Sequence, residues 1–274
     1  MTQGSHRVID SIAKEALSLL GTGQQVPPFS LRYPGFRLVD AYEVVAVLRE
    51  MRRARGENPI GRKIGFTNRA VWGGQGISGP IWNYMFDSTV HELATVGEAF
   101  ALKDLPEPRV EPEIVLHLAS PPRVGMSEDQ LSGCIDWIAH GFEIVQSVFP
   151  GWMFAAADAA AAYGMHGALL LGDRHSISGA PTQWRDQLSS FRVALVRDDG
   201  LTRSGHAQHV LGGPLKALGF LVEELARYPA SEPLRVGEIV TTGTLTEAMP
   251  IRGGQIWSTA LVGIDLGGLR LRSY

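Results

Sequence analysis

The hydrophobic positions of the chain follow a helical period at its start. Residues 6–20 place apolar side chains at helical spacing and end at Gly21, and Asp40 begins a second such stretch that ends at Gly56. Two helices therefore precede any strand. A dinucleotide-binding domain opens instead with a strand and a glycine-rich turn, so this order argues against that class. We predict an N-terminal helical region over residues 1–60.

The rest of the chain changes to short apolar runs that are separated by turns. Asp199 and Gly200 lie between two β-rich runs and predict a hairpin. Residues 234–266 supply several short strands with turns, a pattern typical of a rolled or barrel-like antiparallel sheet. We predict an α+β fold in which the helical region precedes a β-rich body over residues 61–274, with both parts in one compact unit.

Three further helices are predicted within this body. Ser127 and Gln130 form a capping-box pattern, from which we predict a helix that continues to Gly141. The alanine-rich stretch 152–163 predicts a tightly packed helix. Pro214 stands at a first helical position and opens the third helix.

Composition and charge exclude several classes of protein. The 274 residues are 45% hydrophobic and 19% charged, which is ordinary for a soluble globular chain. The net charge of −3 provides no basic surface for nucleic acid or for a membrane. The single cysteine, Cys134, excludes an internal disulfide framework and favours a reducing compartment. With neither a signal peptide nor a membrane-spanning run, we expect a cytoplasmic protein.

Three glutamates lie in otherwise apolar sequence and form a candidate metal site. In a strand, Glu111 and Glu113 point to the same face, roughly 6.6 Å apart along the chain. Glu143, on the next apolar stretch, is the third candidate. Because every ligand would be an oxygen, Mg²⁺ or Mn²⁺ is favoured over softer metals. The alternative is a solvated edge strand, which Pro112 would mark.

Lys63 stands between Arg62 and Ile64 and enters an apolar segment bounded by glycines. It is either a surface lysine whose aliphatic stem covers hydrophobic area, or a buried partner of the carboxylates that carries charge or protons.

Five motifs occur in order and together cover nearly the whole chain. They are K-I-G at 63–65, V-E-P-E-I at 110–114, F-E-I-V-x-S at 142–147, G-P-L-x-A-L at 213–218 and L-x-x-G-E-I-V-x-T-G-T-L-T at 234–246. In combination they resemble the 2-keto-4-pentenoate hydratase and 4-oxalocrotonate decarboxylase family, a branch of the fumarylacetoacetate hydrolase superfamily.

The resemblance implies a mixed β-roll body and a set of site residues. Mg²⁺ or Mn²⁺ would be held by Glu111, Glu113 and Glu143. Lys63 matches the active-site lysine of the family, and Thr244 matches a hydroxyl-bearing position near the substrate. The family also implies a homo-oligomer, with association with another enzyme of its pathway as a further option.

The activity that the resemblance implies is that of a lyase on small 2-oxo or 2-hydroxydienoic acids from the meta-cleavage of aromatic rings. We expect hydration of a 2-hydroxypentadienoate-like substrate, through an enolate that the ion stabilises. The alternative is decarboxylation of a 4-oxalocrotonate-like acid at the same site. Hydratases of the family carry an aspartate where this chain has Ile81, and this departure leaves the choice open.

Two other functional classes also remain open. A C–C bond hydrolase would need a histidine paired with a carboxylate, for which His91 and Glu92 are the candidates. A non-catalytic partner subunit is the other option. Three retained glutamates and a lysine argue against it, because buried charge without a catalytic role is costly.

Overall fold

The computed structural model of the protein describes residues 3–69, 72, 79–97 and 99–274. Three helices precede the first strand, and the long ones among them, α1 and α3, pack against each other. Apolar side chains at helical spacing form the contact between them, as the sequence pattern predicts. The helices are α1 (Gln3–Leu19), α2 (Phe29–Arg32), α3 (Leu38–Ala54), α4 (Glu128–Ser132), α5 (Ala156–Ala161), α6 (Pro181–Ser190) and α7 (Pro214–Arg227).

The strands of the described residues form two sheets. The larger sheet has the order β2-β1-β9-β4-β5-β6-β3, with β10 on the free part of β4, and the smaller has the order β12-β11-β7-β8. The strands are β1 (Pro59–Gly65), β2 (Ile81–Phe86), β3 (Val90–Glu92), β4 (Arg109–Leu118), β5 (Ile135–Val145), β6 (His166–Ser176), β7 (Arg192–Arg197), β8 (Thr202–His206), β9 (Ile239–Thr241), β10 (Met249–Pro250), β11 (Ile256–Val262) and β12 (Arg270–Arg272).

The larger sheet curls into a half-barrel whose inner face has two different parts. At one end, Glu111 pairs with Glu143 across β4 and β5. Further along the same face, Val115 pairs with Ala139 on β5 and with Thr241 on β9. The apolar residues of this second part form a buried cluster beneath the carboxylates, made of Met85, Val115, Ala139, Leu169, Leu171 and Ile239.

The outer face of the larger sheet carries the main core. Alternate residues of the same strands, such as Ile114 and Ile138, pack in one buried cluster with the N-terminal helices. The smaller sheet covers another part of this face, where Phe142 joins a second cluster with Trp257 and Leu271. The end of the half-barrel that carries Glu111 and Glu143 on its inner face, here called the inner end, is therefore packed on its outer face against the N-terminal helices and the smaller sheet.

The predicted helix from Ser127 to Gly141 is wrong over most of its length. The capping box at Ser127 and Gln130 is present, but α4 ends at Ser132 and the chain enters β5 at Ile135. Pairing of β5 with β4 on one side and β6 on the other outweighs any local preference for helix.

The alanine-rich helix is also shorter than predicted. Within 152–163 the α-helix covers only α5, Ala156–Ala161, and Tyr163 and Gly164 follow at positive φ. A run of alanines therefore predicts the helix but does not place its end.

Other predicted elements are confirmed. The hairpin at Asp199 and Gly200 joins β7 to β8, and Pro214 begins α7. Asp40 caps α3 from the third helical position by accepting the backbone N–H of Arg37. In the described part of the chain, no helix has the length and apolarity needed to cross a membrane.

Candidate metal centre

Three carboxylates meet at the inner end of the half-barrel. Glu111 and Glu113 project from the same face of β4, as the alternation of a strand requires, and Glu143 projects from β5 beside them. One oxygen from each side chain lies within 4.8 Å of the others. Glu113 and Glu143 are fully buried, and Glu111 is partly exposed. Because β4 has partners on both sides, the interpretation as a solvated edge strand is wrong.

The carboxylate oxygens are only partly satisfied by the protein. Glu113 Oε2 accepts the backbone N–H of Gly243 at 2.8 Å, and Glu143 Oε1 is 2.7 Å from His166 Nδ1. Glu113 Oε1 and Glu143 Oε2 are buried without a hydrogen-bond partner in the described structure. Buried carboxylates with free oxygens are costly, and a divalent cation with oxygen ligands would satisfy both. The donor set thus fits Mg²⁺ or Mn²⁺.

The protonation of the three carboxyl groups differs with their neighbours. Burial raises the pKa of Glu111 to about 7, and burial together with the charges of Glu143 and Glu111 raises the pKa of Glu113 well above its ordinary value. Burial also acts on Glu143, but the nearby Lys63 and a hydrogen bond with His166 hold its pKa at about 2. Without a cation, the site therefore retains protons that a bound ion would displace.

Lys63 enters this site from β1 and is buried, so its interpretation as a surface residue is wrong. Its Nζ donates to the carbonyl of Gly164 at 2.9 Å and lies 3.4 Å from Glu143 Oε1. Gly164 has a φ of +61°, and a side chain there would lie only 3.0 Å from Lys63 Cδ, so both the backbone and the space favour glycine. Burial alone would lower the pKa of Lys63, but the charges of the three glutamates raise it, which keeps the ammonium group charged.

His166 is a site residue that the sequence reasoning missed. It begins β6, where it lies buried between Glu143 and the hydroxyl of Thr89, with Nε2 3.0 Å from Thr89 Oγ1. Burial lowers the pKa of His166, so the ring is neutral at neutral pH. Its role depends on the register of β5 against β6, which no sequence signal reveals.

His140 supports the site from the opposite face of β5. Its Nδ1 is 2.9 Å from the carbonyl oxygen of Glu113, and its Nε2 is 2.9 Å from Thr259 Oγ1 on the smaller sheet. Burial lowers the pKa of His140 to about 4, so the neutral ring donates to the carbonyl through Nδ1 and accepts from the hydroxyl. The smaller sheet is thus tied to the backbone of Glu113.

Thr244 lies on the turn after β9, two residues from Thr242 and next to Gly243, which binds Glu113. Its hydroxyl donates to the carbonyl of Thr246 at 3.0 Å and the residue is half-buried. The substrate contact that we predict for Thr244 remains a prediction.

The segment beside Lys63 carries no acid in its described part. Ile81 is buried, and Asn83, the register partner of Lys63, donates through Nδ2 to the carbonyl of Ala160 at 2.8 Å. Residues 70, 71 and 73–78 lie outside the described part of the chain. The position where the resemblance implies an aspartate in hydratases is therefore occupied by a buried apolar side chain, Ile81.

The candidate residues for a C–C bond hydrolase do not pair with each other. Glu92 forms an ion pair with Arg174, and the ring of His91 packs 6.2 Å from that of Phe100. The two side chains have different partners and offer no histidine–carboxylate dyad.

Comparisons with known proteins yield two relatives and a solved structure of direct interest. The TodF product hydratase of Pseudomonas putida is 30% identical over 230 residues, which cover 82% of this chain and 80% of the relative. The 2-hydroxyhexa-2,4-dienoate hydratase of Comamonas testosteroni is 25% identical, with 93% and 94% covered. No family model matches the chain.

The solved structure is a 4-oxalocrotonate decarboxylase from Pseudomonas putida in complex with magnesium and adipate. It superposes with a TM-score of 0.87 at 22% identity and covers 100% of this chain and 99% of the other. This similarity confirms the predicted fold class.

Proposed function

The chain belongs to the 2-keto-4-pentenoate hydratase and 4-oxalocrotonate decarboxylase family of the fumarylacetoacetate hydrolase superfamily, and we propose that it is a divalent-metal-dependent lyase of small 2-oxo or 2-hydroxydienoic acids. One observation carries the proposal. Three carboxylates with two unsatisfied oxygens converge beside a buried, charged lysine. The ligands would be Glu111, Glu113 and Glu143, and the ion would be Mg²⁺ or Mn²⁺.

The ion would supply a Lewis acid that binds the 2-oxo-carboxylate end of the substrate and favours negative charge on its 2-oxygen. Lys63 provides the mobile proton. Of its three N–H donors, one is held by Gly164 and one points toward Glu143, which leaves the third for a substrate oxygen. The charged ammonium can stabilise a developing enolate and pass a proton during conversion of the dienol to the ketone.

The surrounding residues hold these groups in position and bury most of them. His166 and Lys63 approach the same oxygen of Glu143, so this carboxylate stays ionised and in one orientation. The apolar cluster beneath the carboxylates closes the barrel below the site. Charges among such buried groups act more strongly than they would in water.

Hydration of a 2-hydroxypentadienoate-like acid is the first candidate reaction. The two relatives described above each cover most of the chain and carry hydratase names. In a hydratase, water adds to the far carbon of the unsaturated ketone, and Lys63 would supply the proton to the enolate carbon.

Decarboxylation of a 4-oxalocrotonate-like acid is the second candidate, and one observation favours it. The described part of the segment around Ile81 offers no carboxylate to activate water, and Asn83 is occupied by a backbone carbonyl. Loss of CO₂ from a distal carboxylate needs no such base, since the electrons pass to the same enolate.

The test follows the ultraviolet absorbance of 2-hydroxypenta-2,4-dienoate and of 2-oxohex-3-enedioate with Mg²⁺ or with chelator, and identifies products by mass. Metal-dependent gain of water from the first acid would establish the hydratase, and metal-dependent loss of CO₂ from the second would establish the decarboxylase. Glu111→Gln should abolish either activity, whereas Glu50→Gln, at a surface ion pair with Arg53 on α3, should not. Mg²⁺ binding without turnover of either acid would refute both assignments.

We also propose Mg²⁺ as the resident ion and a homo-oligomer as the working form. Both follow from the family. Calorimetric binding of Mg²⁺ and of Mn²⁺ at equal concentration tests the identity of the ion. Size-exclusion chromatography with light scattering tests the oligomeric state.

A further inference from the structure

Four buried side-chain oxygens near the inner end of the half-barrel have no hydrogen-bond partner in the described structure. They are Glu113 Oε1, Glu143 Oε2, Thr67 Oγ1 and Thr241 Oγ1. A metal ion accounts for the two carboxylate oxygens. It does not account for the two hydroxyls, because each carries a proton that still needs an acceptor.

The hydroxyl of Thr67 lies against the backbone that binds Glu113. Gly243 has a φ of +101°, and a side chain there would come within 2.0 Å of Thr67 Oγ1. The N–H of the same Gly243 donates to Glu113 Oε2. A glycine is thus required at 243 for the Thr67 hydroxyl to lie where it does. Gly243 is the residue that separates this hydroxyl from the Glu113 carboxylate.

Thr67 also borders the space through which a ligand could extend. It forms part of the wall of a cavity of about 660 Å³, which Arg69, His209 and Lys216 also line. The N–H of Leu211, another residue of the cavity wall, donates to the carbonyl of Thr67 at 3.2 Å and fixes the backbone of Thr67. Thr67 therefore stands between the carboxylates and a volume large enough for the tail of a small acid.

We propose that Thr67 is a substrate-binding residue, whose hydroxyl donates to an oxygen of the 2-oxo-carboxylate end of the substrate. The assignment rests on the proposed function. A buried hydroxyl without an acceptor is unfavourable, and valine has the same shape without that cost. An anionic oxygen that arrives with the substrate supplies the missing acceptor, and a hydrogen bond of this charge-assisted type is strong.

Thr244 does not offer an equivalent donor, since its hydroxyl is already bound to the carbonyl of Thr246. Thr241 differs in another way. It pairs with Lys63 and with Val115, so its side chain lies beside the apolar cluster and one register position below Glu113. It provides a matched control, because it is an equally buried hydroxyl without a partner but does not line the cavity that Thr67 borders.

The experiment measures binding of Mg²⁺, and then of pyruvate to the Mg²⁺-loaded protein, by calorimetry in the wild type and in T67V, T67S and T241V. We expect T67V to bind pyruvate about tenfold to a hundredfold more weakly, the range expected for a lost hydrogen bond to a charged group. T67S should restore binding to within about threefold, and T241V should match the wild type. All four proteins should bind Mg²⁺ alike and show similar melting temperatures.

Two results would overturn the assignment of Thr67. One is equal pyruvate affinity in T67V and the wild type. The other is a T67V variant that loses Mg²⁺ affinity in parallel with pyruvate, which would make Thr67 a support of Glu113 instead. Failure of the wild type itself to bind pyruvate in a Mg²⁺-dependent way would refute the proposed function, and with it this assignment.

Discussion

Glu113 and Glu143 are the same residue type in one pocket, yet their protonation differs because of what lies next to each. Glu143 receives Lys63 and His166, whereas Glu113 receives a single backbone N–H. The pKa of Glu143 therefore falls and that of Glu113 rises. A pocket of this kind holds charge of both signs before the ion arrives and gives up protons when it binds.

This arrangement predicts how the stability of the metal-free protein depends on pH. The pKa of Glu111 rises on folding from its ordinary value near 4.5 to about 7, and that of Glu113 also rises. A group whose pKa is raised by folding stabilises the protein fully at low pH and loses that contribution as pH rises through the folded value. We expect the melting temperature in chelator to fall between about pH 5 and about pH 8, relative to Glu111→Gln, which lacks the group with this pKa.

The protons held by Glu111 and Glu113 compete with Mg²⁺ for the carboxylate oxygens. The gain in melting temperature on addition of Mg²⁺ should therefore increase over this pH interval, since fewer protons need to be displaced. Glu113→Gln should show little response to Mg²⁺ at any pH. A Mg²⁺-induced gain that stays constant with pH in the wild type would contradict this account of the site.

How much of the site the sequence reveals depends on whether a residue acts within one strand or between strands. Glu111 and Glu113 share a face because a strand alternates, and that is visible in five consecutive residues. His166 and Thr67 reach the site only through the pairing of β5 with β6 and the close approach to Gly243. Neither contact leaves a local pattern.

At the scale of elements, Asp158 links helices α2 and α5 by hydrogen bonds. Its carboxylate accepts the N–H of Ser30 at 2.7 Å, the hydroxyl of Ser30 at 2.6 Å and the N–H of Ala155 at 2.8 Å. It thereby caps α5 and fixes the start of α2 from a fully buried position. Because α5 leads directly to Gly164, the cap also helps to place the carbonyl that holds Lys63.

We expect Asp158→Ala to lower the free energy of unfolding by about 3 kcal/mol, since it leaves three partly buried donors without an acceptor. Asp40→Ala is the matched control, because Asp40 caps α3 at an exposed end through the N–H of Arg37 and should cost about 1 kcal/mol or less. Urea denaturation of both variants measures the difference. Equal losses in the two would show that burial of the Asp158 cap adds nothing.

The element that the sequence reasoning assigned wrongly shows the limit of local patterns. Residues 135–141 follow a genuine capping box and carry apolar side chains that suit either a helix or a strand. The structure uses them as the strand that presents Glu143, because β5 lies between β4 and β6. The elements whose partners are adjacent in sequence, such as the hairpin of β7 and β8, were predicted correctly.

At the scale of the whole molecule, the N-terminal helices are tied to the barrel by specific contacts. The rings of Tyr42 on α3 and Trp82 on β2 stack with centroids 4.8 Å apart. Arg49 donates to the hydroxyl of Tyr84 at 2.7 Å, and the hydroxyl of Tyr163 donates to the carbonyl of Ala16 on α1. We infer that residues 1–60 and 61–274 unfold together, as one cooperative unit.

Ile12→Ala tests this inference, because Ile12 is fully buried on α1 in the cluster that also contains Trp82. The cavity should cost about 2–5 kcal/mol. In one cooperative unit, the midpoints of circular dichroism and of tryptophan fluorescence shift together in denaturant. If the helical region unfolded separately, the variant would split the two transitions and leave the later midpoint at its wild-type value. Lys14→Ala, on the exposed face of the same helix, should move neither midpoint appreciably.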